Sequence, residues 1–142
     1  MSGAPPRVCA DDTTGGARIG AVSIIVPDYD QGIAFYCDAL GFLLTEDIDQ
    51  GSKRWVTVQP PGGGPHLVLA RAETTAQRHA IGNQGGGRVW LFLQTDDFHK
   101  DYADMRAKGI LFEEPPRQEP YGTVAVFNDA FGNRWDLIEF GK

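Results

Sequence analysis

The chain repeats one order of predicted elements after about 70 residues. Residues 22–42 read VSIIVPDYDQGIAFYCDALGF: an apolar strand, an Asp-rich turn, an amphipathic helix, a glycine and a second apolar strand. Residues 89–112 read VWLFLQTDDFHKDYADMRAKGILF and give the same order. Each unit then closes with a similar strand, at residues 65–70 and 134–140. The sequence therefore predicts two copies of one supersecondary unit, with a ligand site where the copies meet.

Each copy is predicted to be a βαβββ module, which makes the fold class α+β, with two tandem modules forming a cupped mixed sheet. We expect a disordered tail at 1–17 and a single domain at 18–142. Its modules are predicted at 18–72 and 87–141, joined by 73–86. Because one helix per module covers only one face of its sheet, the other face is free to line a cleft.

Composition excludes several classes of function. The chain has 142 residues and a net charge of −6 without a basic cluster, which argues against nucleic acid binding. No apolar run approaches the roughly 18 residues that a membrane span needs. The N-terminus has no apolar segment typical of a secretory signal. Cys9 and Cys37 are too few for a disulfide framework, so we expect reduced cysteines and a cytoplasmic protein.

Two segments taken together, PDYDQGIAFYCDALGF and TDDF with GNRWDLIEF, resemble the vicinal oxygen chelate superfamily. Its motifs here are FY…LGF and D..GN.W.L, and the resemblance covers about residues 18–140. This superfamily includes glyoxalase I, extradiol dioxygenases, fosfomycin-resistance enzymes and bleomycin-binding proteins. The resemblance implies the glyoxalase/bleomycin resistance fold and a homodimer, since family members usually dimerise. It leaves the activity open, because one fold carries many functions.

The resemblance places the metal-ligand positions of the family's enzymes at Ala21, His66, Trp90 and Asp136. Only His66 and Asp136 can bind a metal, and two protein ligands hold a divalent ion weakly. The pair could instead form an acid/base dyad, or His66 could simply face a cavity and bond to water or backbone. Counting of strand faces predicts that all four side chains point into one cavity.

Trp90 stands where a metal ligand is expected and offers a flat stacking surface with one N–H donor. This suits an aromatic or cationic organic ligand, although the indole could equally plug a vacated site. The further predicted ligand-binding residues lie on the neighbouring strands and at the cleft mouth: Phe92, Gln94, Trp55, Thr57, Tyr121 and Phe127.

The leading hypothesis is a small-molecule-binding protein with a degraded chelate site, which binds an organic ligand in the cleft between the modules. We expect no resident cofactor, with a weakly bound divalent metal at His66 and Asp136 as the exception. The alternative is a metal-dependent lyase, isomerase or dioxygenase of the glyoxalase type that uses these two residues plus substrate oxygens. A third hypothesis is a structural module whose cavity is filled by Trp90.

Overall fold

The computed structural model describes residues 15–141, so most of the tail expected at 1–17, including Cys9, lies outside the described residues. The first module contains a strand, a short helix that continues as a π-helical segment, and three further strands. In chain order they are β1 (Ala21–Val26), α1 (Tyr29–Ile33), the π-helical segment (Ala34–Ala39), β2 (Leu43–Asp49), β3 (Arg54–Gln59) and β4 (His66–Arg71).

The second module repeats this order after a short helix in the join. That helix in the join is α2 (Thr75–Ala80). The elements of the second module are β5 (Val89–Gln94), α3 (Phe98–Ala107), β6 (Leu111–Phe112), β7 (Arg117–Glu119), β8 (Gly122–Asn128) and β9 (Arg134–Phe140). The α+β class and the repeated βαβββ order are confirmed.

One strand departs from the prediction. The sequence predicts a strand at 110–114 and a loop around Arg117, whereas β6 spans two residues and β7 follows it. Both strands pair antiparallel with β8. Pro115 and Pro116 separate them, and proline cannot donate a backbone hydrogen bond to a ladder. The prolines therefore divide one edge strand into two.

The strands form two mixed sheets. Sheet 1 has the order β1-β4-β3-β2, and sheet 2 has the order β5-β9-β8-β6, with β7 also on β8. In each sheet the first and last strands of the module run parallel, β1 with β4 and β5 with β9. The other neighbours are antiparallel. No helix of the described part of the chain is long and apolar enough to cross a membrane.

Local signals position the two main helices. Asp28 caps α1 and Asp97 caps α3, each through its carboxylate and a backbone N–H three residues on. Gly41 has a φ of +82° after the π-helical segment, and Gly109 has a φ of +87° after α3. Glycine adopts this left-handed region without a Cβ penalty, so both predicted helix ends are confirmed.

The modules pack together through their helix-covered sides. One core cluster contains Ile24 and Val26 of sheet 1 together with Trp135 and Leu137 of sheet 2. Tyr36 of the π-helical segment is fully buried, and its ring centroid lies 6.0 Å from that of Trp135. The space between the modules on this side is therefore filled, and the opposite face of each sheet is left without a helix. We call these two surfaces the open faces.

A buried carboxylate explains why both motifs of the resemblance occur together. Asp129 accepts backbone hydrogen bonds from residues 131–133 through one oxygen. Its other oxygen accepts from the Tyr36 hydroxyl at 2.6 Å, the Asn133 amide at 2.9 Å and the Trp135 indole at 3.3 Å. Asp129 thus holds the turn before β9 and ties it to the first module.

Candidate functional site

The open face of sheet 1 presents the first pair of predicted site residues. Ala21 and His66 are direct partners in the parallel β1–β4 ladder, so their side chains share a face as predicted. Trp55 and Thr57 lie on the same face, because Thr57 pairs with Val68 and strand residues two apart point the same way. Trp55 is exposed, whereas Thr57 is buried.

The open face of sheet 2 differs from the repeat-based prediction at one residue. Phe92, and not Trp90, is the ladder partner of Asp136, because the β5 register shifts between Val89 and Leu91. Trp90 lies at this irregularity, is half-buried and packs against the core cluster. A β-bulge adds one residue to its strand, so it breaks the copy-to-copy equivalence of Trp90 with Ala21.

The remaining predicted ligand-binding residues divide between the two sides of sheet 2. Gln94 is exposed on the Phe92 side, and Tyr121 is exposed just before β8. Phe127, predicted to line the cleft, is instead fully buried in the core. Its ring stacks on Trp135 with centroids 5.6 Å apart, because alternation along β8 points it toward the helix side.

A hydrogen-bonded network on the open face of sheet 1 includes two residues that the sequence reasoning missed, Thr45 and Glu46. The Thr45 hydroxyl lies 3.1 Å from His66 Nδ1 and 2.7 Å from the Thr57 hydroxyl. One Glu46 oxygen accepts from the Thr57 hydroxyl at 3.2 Å and from the Trp55 indole at 3.0 Å. A register shift in β2 between Leu44 and Glu46 brings both residues to this face. No local sequence signal marks this shift.

Asp136 is the polar group of the open face of sheet 2, and one of its oxygens, Oδ1, is buried without a hydrogen-bond partner in the described part of the chain. Burial raises the pKa of its carboxyl; Arg117 and Arg134 lower that pKa and Glu114 raises it. Arg117 pairs with Glu114 at 2.9 Å and also with Glu119, and Arg134 pairs with Glu113 at 2.8 Å. Both arginines are thus engaged by other carboxylates.

The donor set of one chain does not fit a divalent metal. Ala21 and Trp90 offer no ligand, and no hydrogen bond or ion pair joins His66 to Asp136 within residues 15–141. No group of three or more His, Cys, Asp or Glu side chains in that range could hold a metal ion. The nearest charged groups to Asp136 include two arginines, which oppose a cation.

Two of the cavities formed by the described residues lie away from the predicted site residues. One, of about 370 Å³, is bordered by Tyr29, Arg54 and Arg71 beside the β2–β3 turn. The other, of about 480 Å³, lies at the end of α3 beside Tyr102 and Phe112. Neither is lined by His66, Asp136 or Trp90. These two cavities are therefore separate from the predicted site residues.

Comparison with known proteins agrees with this fold. The model of the glyoxalase/bleomycin resistance protein/dioxygenase superfamily matches residues 18–137. An uncharacterized protein of Shewanella frigidimarina is 53% identical over 121 residues, which are 83% of this chain and 90% of that protein. The uncharacterized protein YurT of Bacillus subtilis is 30% identical over 125 residues, or 86% of this chain and 98% of YurT.

Solved structures show the same architecture. UcmS2 superimposes with a TM-score of 0.76 at 31% identity, covering 87% of this chain and 98% of its own. TnmS3, an antibiotic binding protein from Streptomyces sp. CB03234, superimposes with a TM-score of 0.74 at 27% identity, covering 90% and 99%. The family match covers both modules. It also includes both motifs, which the hydrogen bond between Tyr36 and Asp129 joins. The chain therefore belongs to the glyoxalase/bleomycin resistance protein/dioxygenase superfamily.

Proposed function

We propose that the protein binds a planar organic small molecule on its open faces and that a homodimer encloses the ligand. The observation that carries this proposal is a concentration of exposed apolar side chains on the faces that also hold His66 and Asp136. Phe92, beside Asp136, is 65% exposed, and Trp55, on the same face as His66, is 39% exposed. Exposed apolar surface next to a few polar groups is typical of ligand-binding sites.

Further exposed apolar residues extend both surfaces. Ile48 pairs with Trp55 on sheet 1, and Phe140 lies on the Asp136 side of β9. A second copy of the chain that covers the open faces would bury these exposed apolar side chains and enclose a ligand bound there. Homodimers commonly bury apolar surface of this kind.

The relatives support a binding function over a metal-dependent reaction. TnmS3 is described as an antibiotic binding protein and shares the whole fold with this chain. Within residues 15–141 no group of three or more His, Cys, Asp or Glu side chains could hold a metal ion, which supports binding over a metal-dependent reaction. We therefore propose that the ligand is a planar organic molecule of the antibiotic class. Aromatic side chains and the polar groups of the open faces would hold it.

Titration calorimetry with doxorubicin and with bleomycin tests this proposal. Binding of either compound should weaken about tenfold in Phe92→Ala and Trp55→Ala, because each variant removes an aromatic contact. Leu44→Ala is the matched control: Leu44 is an exposed apolar residue, but it pairs with buried Val58 on the other side of sheet 1. Equal losses in all three variants, or no heat with either compound, would contradict the proposal.

Two further measurements examine the dimer and the metal-dependent alternative. Analytical ultracentrifugation should show a dimer at micromolar concentration, and a monomer would remove the enclosed site. Metal analysis of the purified protein should show less than one divalent ion per chain. Stoichiometric metal that is lost in His66→Ala would instead support the lyase, isomerase or dioxygenase alternative.

A further inference from the structure

The hydrogen bonds that end at His66 can be assigned a direction by counting protons. The chain of contacts runs from His66 Nδ1 through the hydroxyls of Thr45 and Thr57 to the carboxylate of Glu46. An ionised carboxylate only accepts hydrogen bonds, and each hydroxyl has a single hydrogen to donate. Glu46 therefore sets the direction of every link before it.

The Thr57 hydroxyl uses its hydrogen on Glu46 at 3.2 Å. The Thr45 hydroxyl then donates to Thr57, either to its hydroxyl oxygen at 2.7 Å or to its carbonyl oxygen at 3.0 Å. With its hydrogen used, Thr45 can only accept from His66, so the ring nitrogen Nδ1 carries a proton.

The opposite direction satisfies fewer contacts. If Thr45 donated to His66, its hydroxyl would have no hydrogen for the Thr57 carbonyl oxygen 3.0 Å away. Thr57 would then have to donate to Thr45, which leaves the 3.2 Å contact with Glu46 as two oxygens without a proton between them. Thr57 is only 2% exposed, so water cannot readily reach its carbonyl oxygen, and the reverse direction satisfies fewer of the protein's own contacts.

The β-bulge in β2 shows that this arrangement is built into the sheet. In a regular strand Thr45 and Glu46 would point to opposite faces. The register shift between Leu44 and Glu46 lets both reach Thr57 on β3. Bulges of this kind commonly re-aim side chains beside functional sites.

We propose that Glu46, Thr57 and Thr45 position neutral His66 as its Nδ1-protonated tautomer, so that Nε2 presents a free lone pair on the open face. The ligand then meets this nitrogen with a hydroxyl or N–H group. No side chain of the described residues bonds to Nε2, since the contact of His66 is through Nδ1. The ligand half of this inference rests on the proposed function, whereas the tautomer does not.

The tautomer can be measured directly by long-range ¹H–¹⁵N NMR of the ligand-free protein, at an alkaline pH that keeps the imidazole rings neutral. His66 should show a protonated Nδ1 and an unprotonated Nε2. His79 and His99 are exposed and serve as internal references with the Nε2–H preference of a solvated histidine side chain. A predominantly Nε2-protonated His66 would overturn the proposal.

Variants of Thr45 separate positioning from general stability. Thr45→Val keeps the shape but removes the hydroxyl, so His66 should move toward the Nε2-protonated form. Thr45→Ser keeps the hydroxyl and should retain the native tautomer. An unchanged tautomer in Thr45→Val contradicts the positioning role. The same change of tautomer in both variants also contradicts it, because only Thr45→Val removes the hydroxyl.

The ligand class is tested with two probes that share one ring system, 1-naphthol and 1-methoxynaphthalene. Only 1-naphthol donates a hydrogen bond, so only it should shift the His66 Nε2 resonance, and it should bind about tenfold more tightly. This preference should disappear in Thr45→Val and persist in Thr45→Ser. If 1-naphthol does not shift the His66 Nε2 resonance, the proposed ligand class is wrong. The proposed function would still stand if doxorubicin or bleomycin binds the protein.

Discussion

Asp129→Asn is expected to destabilise the protein strongly, although it changes only one atom. The Asp129 carboxylate accepts six hydrogen bonds inside the core, three at each oxygen. An amide keeps one acceptor oxygen and turns an NH₂ group toward the donors on the other side. If the oxygen stays with the backbone turn, the indole of Trp135 and the amide of Asn133 lose their acceptor.

Each hydrogen bond to a buried charged group contributes about 1.5–3 kcal/mol, so losing two predicts a decrease of about 3–6 kcal/mol in the free energy of unfolding. This is a large fraction of the roughly 5–15 kcal/mol of a typical domain. Urea unfolding, followed by tryptophan fluorescence, measures it as a fall in the midpoint at unchanged slope. Asp28→Asn is the matched control, because Asn caps a helix about as well as Asp.

A double-mutant cycle with Tyr36→Phe isolates the bond between the modules. Tyr36→Phe alone should lower stability by about 1.5–3 kcal/mol, since it removes the 2.6 Å bond to Asp129. In the Asp129→Asn background the same change should have a much smaller effect. Additive losses, or an Asp129→Asn protein within about 1 kcal/mol of the native one, would refute the view that this carboxylate ties the modules together.

Two further predictions concern the Asp136 carboxyl and the space around Gly82. Burial raises the pKa of the Asp136 carboxyl above its value in the unfolded chain. At a pH above this raised pKa the buried charge destabilises the folded state. This destabilisation disappears as the pH falls and the carboxyl is protonated. Asp136→Asn should therefore raise the urea midpoint at neutral pH and leave it unchanged in acid. A lower midpoint at neutral pH contradicts this. A Cβ at Gly82 would lie 1.8 Å from the Phe131 carbonyl oxygen, whereas one at Gly86 meets open space at a similarly positive φ. Gly82→Ala should lower the free energy of unfolding by more than about 3 kcal/mol and Gly86→Ala by about 1 kcal/mol, and equal urea midpoints would contradict the steric argument.

Local sequence patterns predicted the elements well, because their signals come from residues close together in the chain. Asp28 and Asp97 cap helices through N–H groups three residues away, and Gly41 and Gly109 end them through their own φ. Counting of strand faces also predicted that Ala21 and His66 point the same way, and they lie side by side because β1 and β4 keep a regular register there.

The candidate site was less predictable, because it depends on which strands pair and in which register. The bulge at Thr45 adds Thr45 and Glu46 to the His66 face, and the irregularity at Trp90 gives Asp136 the neighbour Phe92. Phe127 has the hydrophobicity of a lining residue but belongs to the core face of its strand. None of these placements is encoded within a few residues of the position concerned.

The sequence by itself determined the module order, the helix limits and the superfamily, through periodicity, capping and two motifs. Only the tertiary structure decided which side of each strand is open, which residue faces Asp136, and why the two motifs occur together in one chain. The physical reason is range: helices and turns are set by contacts three or four residues apart, whereas Tyr36 meets Asp129 across 93 positions of the chain.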